Sequence, residues 1–272
     1  DAERLAACPG ASRPCHFMYN GKRRHKPLEW MEAAVTAPQG SAAGWRSEAE
    51  RWEREGVSDA AQECWERALE LEPDDPAILL GLGRLHLRKE RLARARICFE
   101  RIVNRGPRRS RSEAAHALEQ VRKMDRSAEE ALDSIRTMLQ ADKFCAEALA
   151  ALGRHCMRLG HLHEARANLE DALRFGWEDR FPTLMMLGGV HAQLGDDEAA
   201  AACFARALEE ESDMAWAWYE RAAALRRLGR SAAALRLVRR AQALDSADAS
   251  IGWLVATLRT ELAESTGSAG PR

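Results

Sequence analysis

Aromatic side chains are scarce in this sequence: two Tyr, six Phe and eight Trp among 272 residues, 6% of the chain. Runs rich in β-branched residues are few as well, which leaves little to favour sheet, whereas the helix formers Ala and Leu abound. No stretch of 18 apolar residues occurs, so nothing is long enough to span a bilayer as a helix. Net charge is nearly absent, −1, although 31% of the residues are charged, and the chain as a whole is therefore not basic. Seven cysteines make an odd count that fits no closed disulfide framework. Cys64, Cys98 and Cys203 fall on apolar helical stripes, where a free thiol behaves as a small hydrophobe. This usage predicts a reducing compartment, the cytoplasm or another intracellular one. A chain opening at Asp1 leaves room for a removed leader, but no charged-then-apolar signal pattern is present.

Catalytic signatures are missing too. There is no Ser-His-Asp order, no His-Glu-x-x-His and no kinase signature. Gly81-Leu82-Gly83 has neither a preceding strand nor a following Lys-Ser/Thr, so it is packing rather than a phosphate loop. The paired carboxylates Asp74–Asp75 and Asp196–Asp197 stand at helix starts, where they cap. Two His/Cys groups carry atoms that could ligate a metal. Cys8, Cys15, His16 and His25 depart from the short Cys-x2–4-Cys knuckle, which favours ordinary loop cysteines and leaves metal binding there open. His155, Cys156, His161 and His163 bracket a turn, with Cys156 on the packing stripe and the later histidines on a corner. Neither group is assigned a metal. The expectation is a non-enzyme without cofactor.

What is present is a repeat and a charge run. Residues 82–112 hold ten Arg and one Lys against two Glu, a local charge of +9. Sliding the sequence by 34 residues aligns six frames: 42–75, 76–109, 110–145, 146–179, 181–214 and 215–248. The eighth place holds Ala49, Gly83, Ala117, Gly153, Gly188 and Ala222. The twentieth holds Ala61, Ala95, Ala131, Ala165, Ala200 and Ala234, and four places on stand Trp65, Phe99, Ile135, Leu169, Phe204 and Val238. Gly56, Gly160, Gly195 and Gly229 recur midway. Small residues let two helices approach, large ones fill the gap between neighbours, and glycine ends the first helix in a left-handed turn. One such hairpin cannot bury its apolar face alone, so stacked copies share a core.

These columns, and stretches such as LLGLGRLHLRKERLARARICFERI and LAALGRHCMRLGHLHEARANLEDAL, resemble the tetratricopeptide repeat family over residues 42–248. The third frame is degenerate, with Glu113 and His116 at places expected to be apolar. The resemblance implies an all-α, right-handed solenoid of helix-turn-helix repeats, whose first helices line a concave groove that takes an extended peptide or helix. Groove places then fall on Arg84, Arg88, Leu118, Arg122, Arg154 and Arg158, with Arg226 and Arg227 near the same line. Glu50 and Glu53 begin the groove with opposite sign. Pro182, Met185, Gly189, Trp216 and Tyr219 give it an apolar segment. The basic run thus belongs to a repeat and its successor and is not a free arm. The Lys–Asn set with which some members clamp chaperone C-termini is absent.

Outside the frames, Pro27 predicts a short helix to about Val35 carrying Trp30 and Met31, preceded by GKRRHK, within a non-repeat segment, residues 1–41. Residues 249–264 read as a capping helix and 265–272 as a disordered tail. The pattern therefore predicts a protein-interaction scaffold or adaptor, a subunit of a larger complex, gripping an acidic or amphipathic peptide segment. The alternative is an RNA-processing or ribonucleoprotein-assembly factor with half-a-tetratricopeptide-like repeats, suggested by ARARICFERI and AAQECWERAL beside Trp45 and Trp52. Against RNA stand eleven acids to four bases between residues 44 and 75, and a further acidic stretch at 196–213.

Overall fold

The computed structural model describes residues 40–267. Among them are twelve α-helices and no strand. Five helix pairs form hairpins: α1 (Ala42–Glu55) with α2 (Ser58–Leu71), α3 (Pro76–Arg88) with α4 (Leu92–Arg105), α6 (Ala146–Leu159) with α7 (Leu162–Arg174), α8 (Arg180–Leu194) with α9 (Asp197–Glu210), and α10 (Ala215–Arg227) with α11 (Ser231–Leu244). A long helix α5 (Arg108–Ala141) follows the second hairpin, and α12 (Ala249–Gly267) follows the fifth. Each hairpin packs on its sequence neighbour, an all-α tetratricopeptide-like array.

Local chemistry sets the helix ends. Gly56, Gly160 and Gly195 take φ +83°, the left-handed conformation that lets the last carbonyls of the first helix be satisfied. The second hairpin has no such glycine; Glu90 adopts φ 53° in its place. Asp75 caps α3 by accepting the N–H of Ala77 at 2.6 Å, with Pro76 at the first helical position, where a missing N–H costs nothing.

The aligned columns become the joints. A Cβ at Gly83 would sit 2.6 Å from Phe99, and one at Gly153 would sit 2.6 Å from Leu169; a Cβ at Gly188 would overlap Phe204 in the same way. Phe99, Leu169 and Phe204 are buried. Each contributes roughly 1.5–3 kcal/mol by leaving water, packed between the two helices of its own hairpin.

The third frame is corrected by the structure. Residues 110–145 were expected to form a hairpin, and instead α5 runs unbroken for 34 residues, about 50 Å. No Gly or Pro interrupts residues 108–141. Ala114, Leu118, Val121, Ala128, Leu132 and Ile135 form one buried stripe at three-, four- and seven-residue spacing. Its first half joins the core of α3 and α4, its second half that of α6 and α7. The C-terminal helix also runs past its expected end at 264 to Gly267. The expected helix at 27–35, the GKRRHK run, the Cys8/Cys15/His16/His25 group and residues 268–272 lie outside the described residues.

The repeat gives no sign of how its two ends meet. A single apolar cluster unites Trp52, Trp65 and Cys64 of the first hairpin with Ala222, Val238, Ile251, Trp253 and Leu254 of α10, α11 and α12. The first and sixth copies are therefore neighbours, and the array closes.

Candidate partner-binding surface

The expected groove residues divide into three environments. The first is a row of exposed and half-buried ion pairs along the first helices and one turn. Arg84 on α3 pairs with Glu113 on α5, and both side chains are 53% exposed. Arg88 meets Glu53 of α1 at 2.9 Å, and Arg158 of α6 meets Glu90 at 2.9 Å. Because Glu90 sits two residues beyond Arg88, these contacts tie the first, second and fourth copies in one charged row. Arg122 pairs with Glu119 at 3.8 Å on its own helix, and Arg227 reaches Asp197 at 2.7 Å. Arg154 is exposed, and among the described residues no carboxylate lies within ion-pair distance of it. Arg84, Glu113, Arg109 and His116 also line a cleft of about 480 Å³ between α3 and α5.

The second environment is core. Leu118 and Met185 are buried in helix joints, at 6% and 5% exposure, so neither faces a partner. Their groove places turned inward because α5 packs as a continuous stripe and because α8 is apolar all round: Phe181, Leu184, Met185 and Leu187 are all buried. Trp216 remains 39% exposed and packs edge-on against Phe181, ring centres 5.5 Å apart. Phe144 and Phe175 form a second exposed aromatic pair at 4.9 Å, with Phe144 66% exposed. The repeat frame did not select them, since both occupy variable places in loops; their signal was the rarity of Phe itself.

The third environment is the closure, which takes Tyr219 and Arg226 out of the groove. The Tyr219 hydroxyl donates to Asp59 of α2, 160 residues away in sequence. Lys89 reaches the same carboxylate at 2.6 Å and Gln62 at 3.0 Å. Arg226 bridges Glu63 of α2 and Glu261 of α12, the latter at 2.6 Å, and lies over the Trp253 ring at 5.4 Å. Burial pushes the Asp59 carboxyl up, but Lys89 and the Tyr219 hydroxyl outweigh it and hold the group below its usual range. Glu220 goes the other way. Burial and the Asp59 charge raise it to about 7, against the pull of Lys89, Arg227 and Arg91.

The model of the family described as "Tetratricopeptide repeat" matches residues 52–112 and 184–249. Several solved structures are similar. A tetratricopeptide repeat protein from Parabacteroides merdae ATCC 43184 is 16% identical, covering 84% of this chain and 89% of that one, with TM-score 0.40. A thermophilic TPR protein of Thermus thermophilus is 24% identical, covering 83% and 99%, with TM-score 0.32. YrrB, a TPR protein with an unusual peptide-binding site, is 17% identical, covering 83% and 97%, with TM-score 0.38. At such identities these likenesses concern the fold alone. No curated protein sequence matches the chain.

Proposed function

Starting from a chain that belongs to the tetratricopeptide repeat family, we propose a non-catalytic scaffold that grips an amphipathic peptide or helix of a partner protein, as one subunit of a larger complex. The row Glu53–Arg88, Glu90–Arg158, in which Arg88 and Glu90 are exposed and Glu53 and Arg158 half-buried, with exposed Arg154 alongside, supports it most. Exposed ion pairs contribute only about 0–1 kcal/mol. Glu90 is exposed, so a partner carboxylate can compete with it for Arg158, whereas Glu53 also accepts the Trp65 indole N–H and stays in place; guanidiniums held in a row fix the register of such a segment. Trp216 and the Phe144–Phe175 pair supply apolar contacts for the other face of such a segment. In this reading Tyr219 and Arg226 belong to closure rather than to capture.

The same row weighs against RNA. A polyanion track needs unpaired positive charge, and here nearly every groove Arg already faces a carboxylate of the same chain. Among the described residues, no helix is long and apolar enough to cross a membrane.

The test is affinity capture with crosslinking, using the wild type and the pair Arg154→Glu, Arg158→Glu. Loss of the captured partner with an unchanged helical dichroism spectrum supports the proposal. Undiminished capture sinks it. Titration of labelled single-stranded and duplex RNA at two salt concentrations addresses the alternative, since a steep salt slope would favour RNA.

A further inference from the structure

Every described hairpin turns the same way. The residue after the turn donates its N–H to a carbonyl five residues back: Val57 to Trp52, Arg91 to His86, His161 to Cys156, Asp196 to His191, Arg230 to Leu225. That bond sets the residues at its two ends side by side. In the fourth copy the two ends are Cys156 and His161, both able to bind a metal. A third donor, Glu164, stands one turn into α7, at the place held elsewhere by Ala60, Arg94, Ala199 and Ala233. The Cys156 sulfur, a His161 ring nitrogen and a Glu164 oxygen lie within 4.8 Å of one another. His161 Nδ1 and the Glu164 carboxylate are 3.8 Å apart. Among the described residues no other group of three such donors converges in this way.

We propose that Cys156, His161 and Glu164 form a binding site for a divalent metal of the zinc class. Sulfur, imidazole and carboxylate are the donors zinc prefers, and bonds of about 2.0–2.3 Å place tetrahedral ligands roughly 3–4 Å apart, close to what the turn provides. His161 coordinates through Nδ1 as the neutral ring. His161 and Glu164 are exposed, which leaves the fourth position to water. Without metal, burial and the neighbouring Glu164 push the Cys156 thiol up to about 12, and its proton lies on the Glu164 side. Metal takes that proton's place. The thiol loses its proton to bulk water as the metal–sulfur bond forms, and one thiolate and one carboxylate then neutralise the dication. The ion would staple α6 to α7 in the copy on which the second half of α5 rests.

This site is independent of the scaffold proposal. Its test is titration of the full chain with Co²⁺ alone, followed by thiolate-to-cobalt charge-transfer absorption. Cysteines outside the turn contribute equally to every sample, so the readout is the difference between wild type and variants. The wild type is expected to bind one more equivalent than Cys156→Ser. The exposed substitutions His161→Ala and Glu164→Gln, which leave the core untouched, are expected to weaken that equivalent at least about tenfold. Zn²⁺ should also raise the melting temperature of the wild type and not of His161→Ala. Identical cobalt spectra in wild type and all three variants would overturn the site, as would a wild type with no such absorption.

Discussion

The joint between α8, α9 and α10 and the joint between α2 and α10 do the same job by opposite means. The first is dry: Gly188 admits Phe204, and Ala200, Ala207 and Ala217 close around it. The second sets apolar packing beside a polar latch in which Tyr219, Lys89 and Asp59 meet, and Arg226 holds Glu63 and Glu261. Joints between sequence neighbours can be written once and repeated every 34 residues. A joint between the first and sixth copies occurs once and has no period, so it is made from residues that break the frame. It also changes the physics of the array. An open solenoid couples only nearest neighbours, whereas closure ties the melting of the first hairpin to that of the last.

The largest difference between the two joints should come from emptying the dry one. Phe204→Ala is expected to cost about 3–5 kcal/mol, read by denaturant unfolding, because a buried ring leaves a cavity that Gly188 cannot fill. Arg226→Ala should cost less, about 1–3 kcal/mol, since its site keeps some contact with water while Glu63 and Glu261 lose their shared partner. Its effect should fall on the first hairpin as much as the last, visible as faster hydrogen exchange in α2.

A pH effect should be smaller and confined to the latch. Glu220 has a folded value of about 7 against 4.5 for the free group. A raised value means that the closed protein binds the proton more tightly. The contribution is therefore full below about pH 4.5 and is lost as pH rises through 7. Glu220→Gln is expected to flatten the fall in melting temperature across that window. Asp59, held below its ordinary 3.8, acts in a separate window and weakens closure only as pH falls further. The smallest expected change is Arg122→Ala, within about 0.5 kcal/mol by denaturant unfolding, because its pair with Glu119 is exposed and 3.8 Å long.

The array was readable because its physics is periodic. Gly83 against Phe99 and Gly153 against Leu169 recur at a fixed offset, and the turn glycines mark where each first helix stops. The third frame misled because Ala117, Ala131 and Ile135 kept the columns while no residue between 108 and 141 could end a helix. Site residues were readable only as places along a helix. The frame put Arg84, Arg88 and Arg158 on first helices, but it carries no information on which carboxylates answer them, since Glu113, Glu53 and Glu90 come from other copies. Tyr219 and Arg226 show the same limit more sharply: their partners are 160 and 163 residues away.

Closure is measured most directly by electron–electron resonance between spin labels on non-natural residues at Glu66 in α2 and Glu264 in α12. A closed array predicts one narrow, short distance distribution in the wild type that broadens and lengthens in Arg226→Glu. A long, broad distribution already present in the wild type, and unmoved by that substitution, would contradict it.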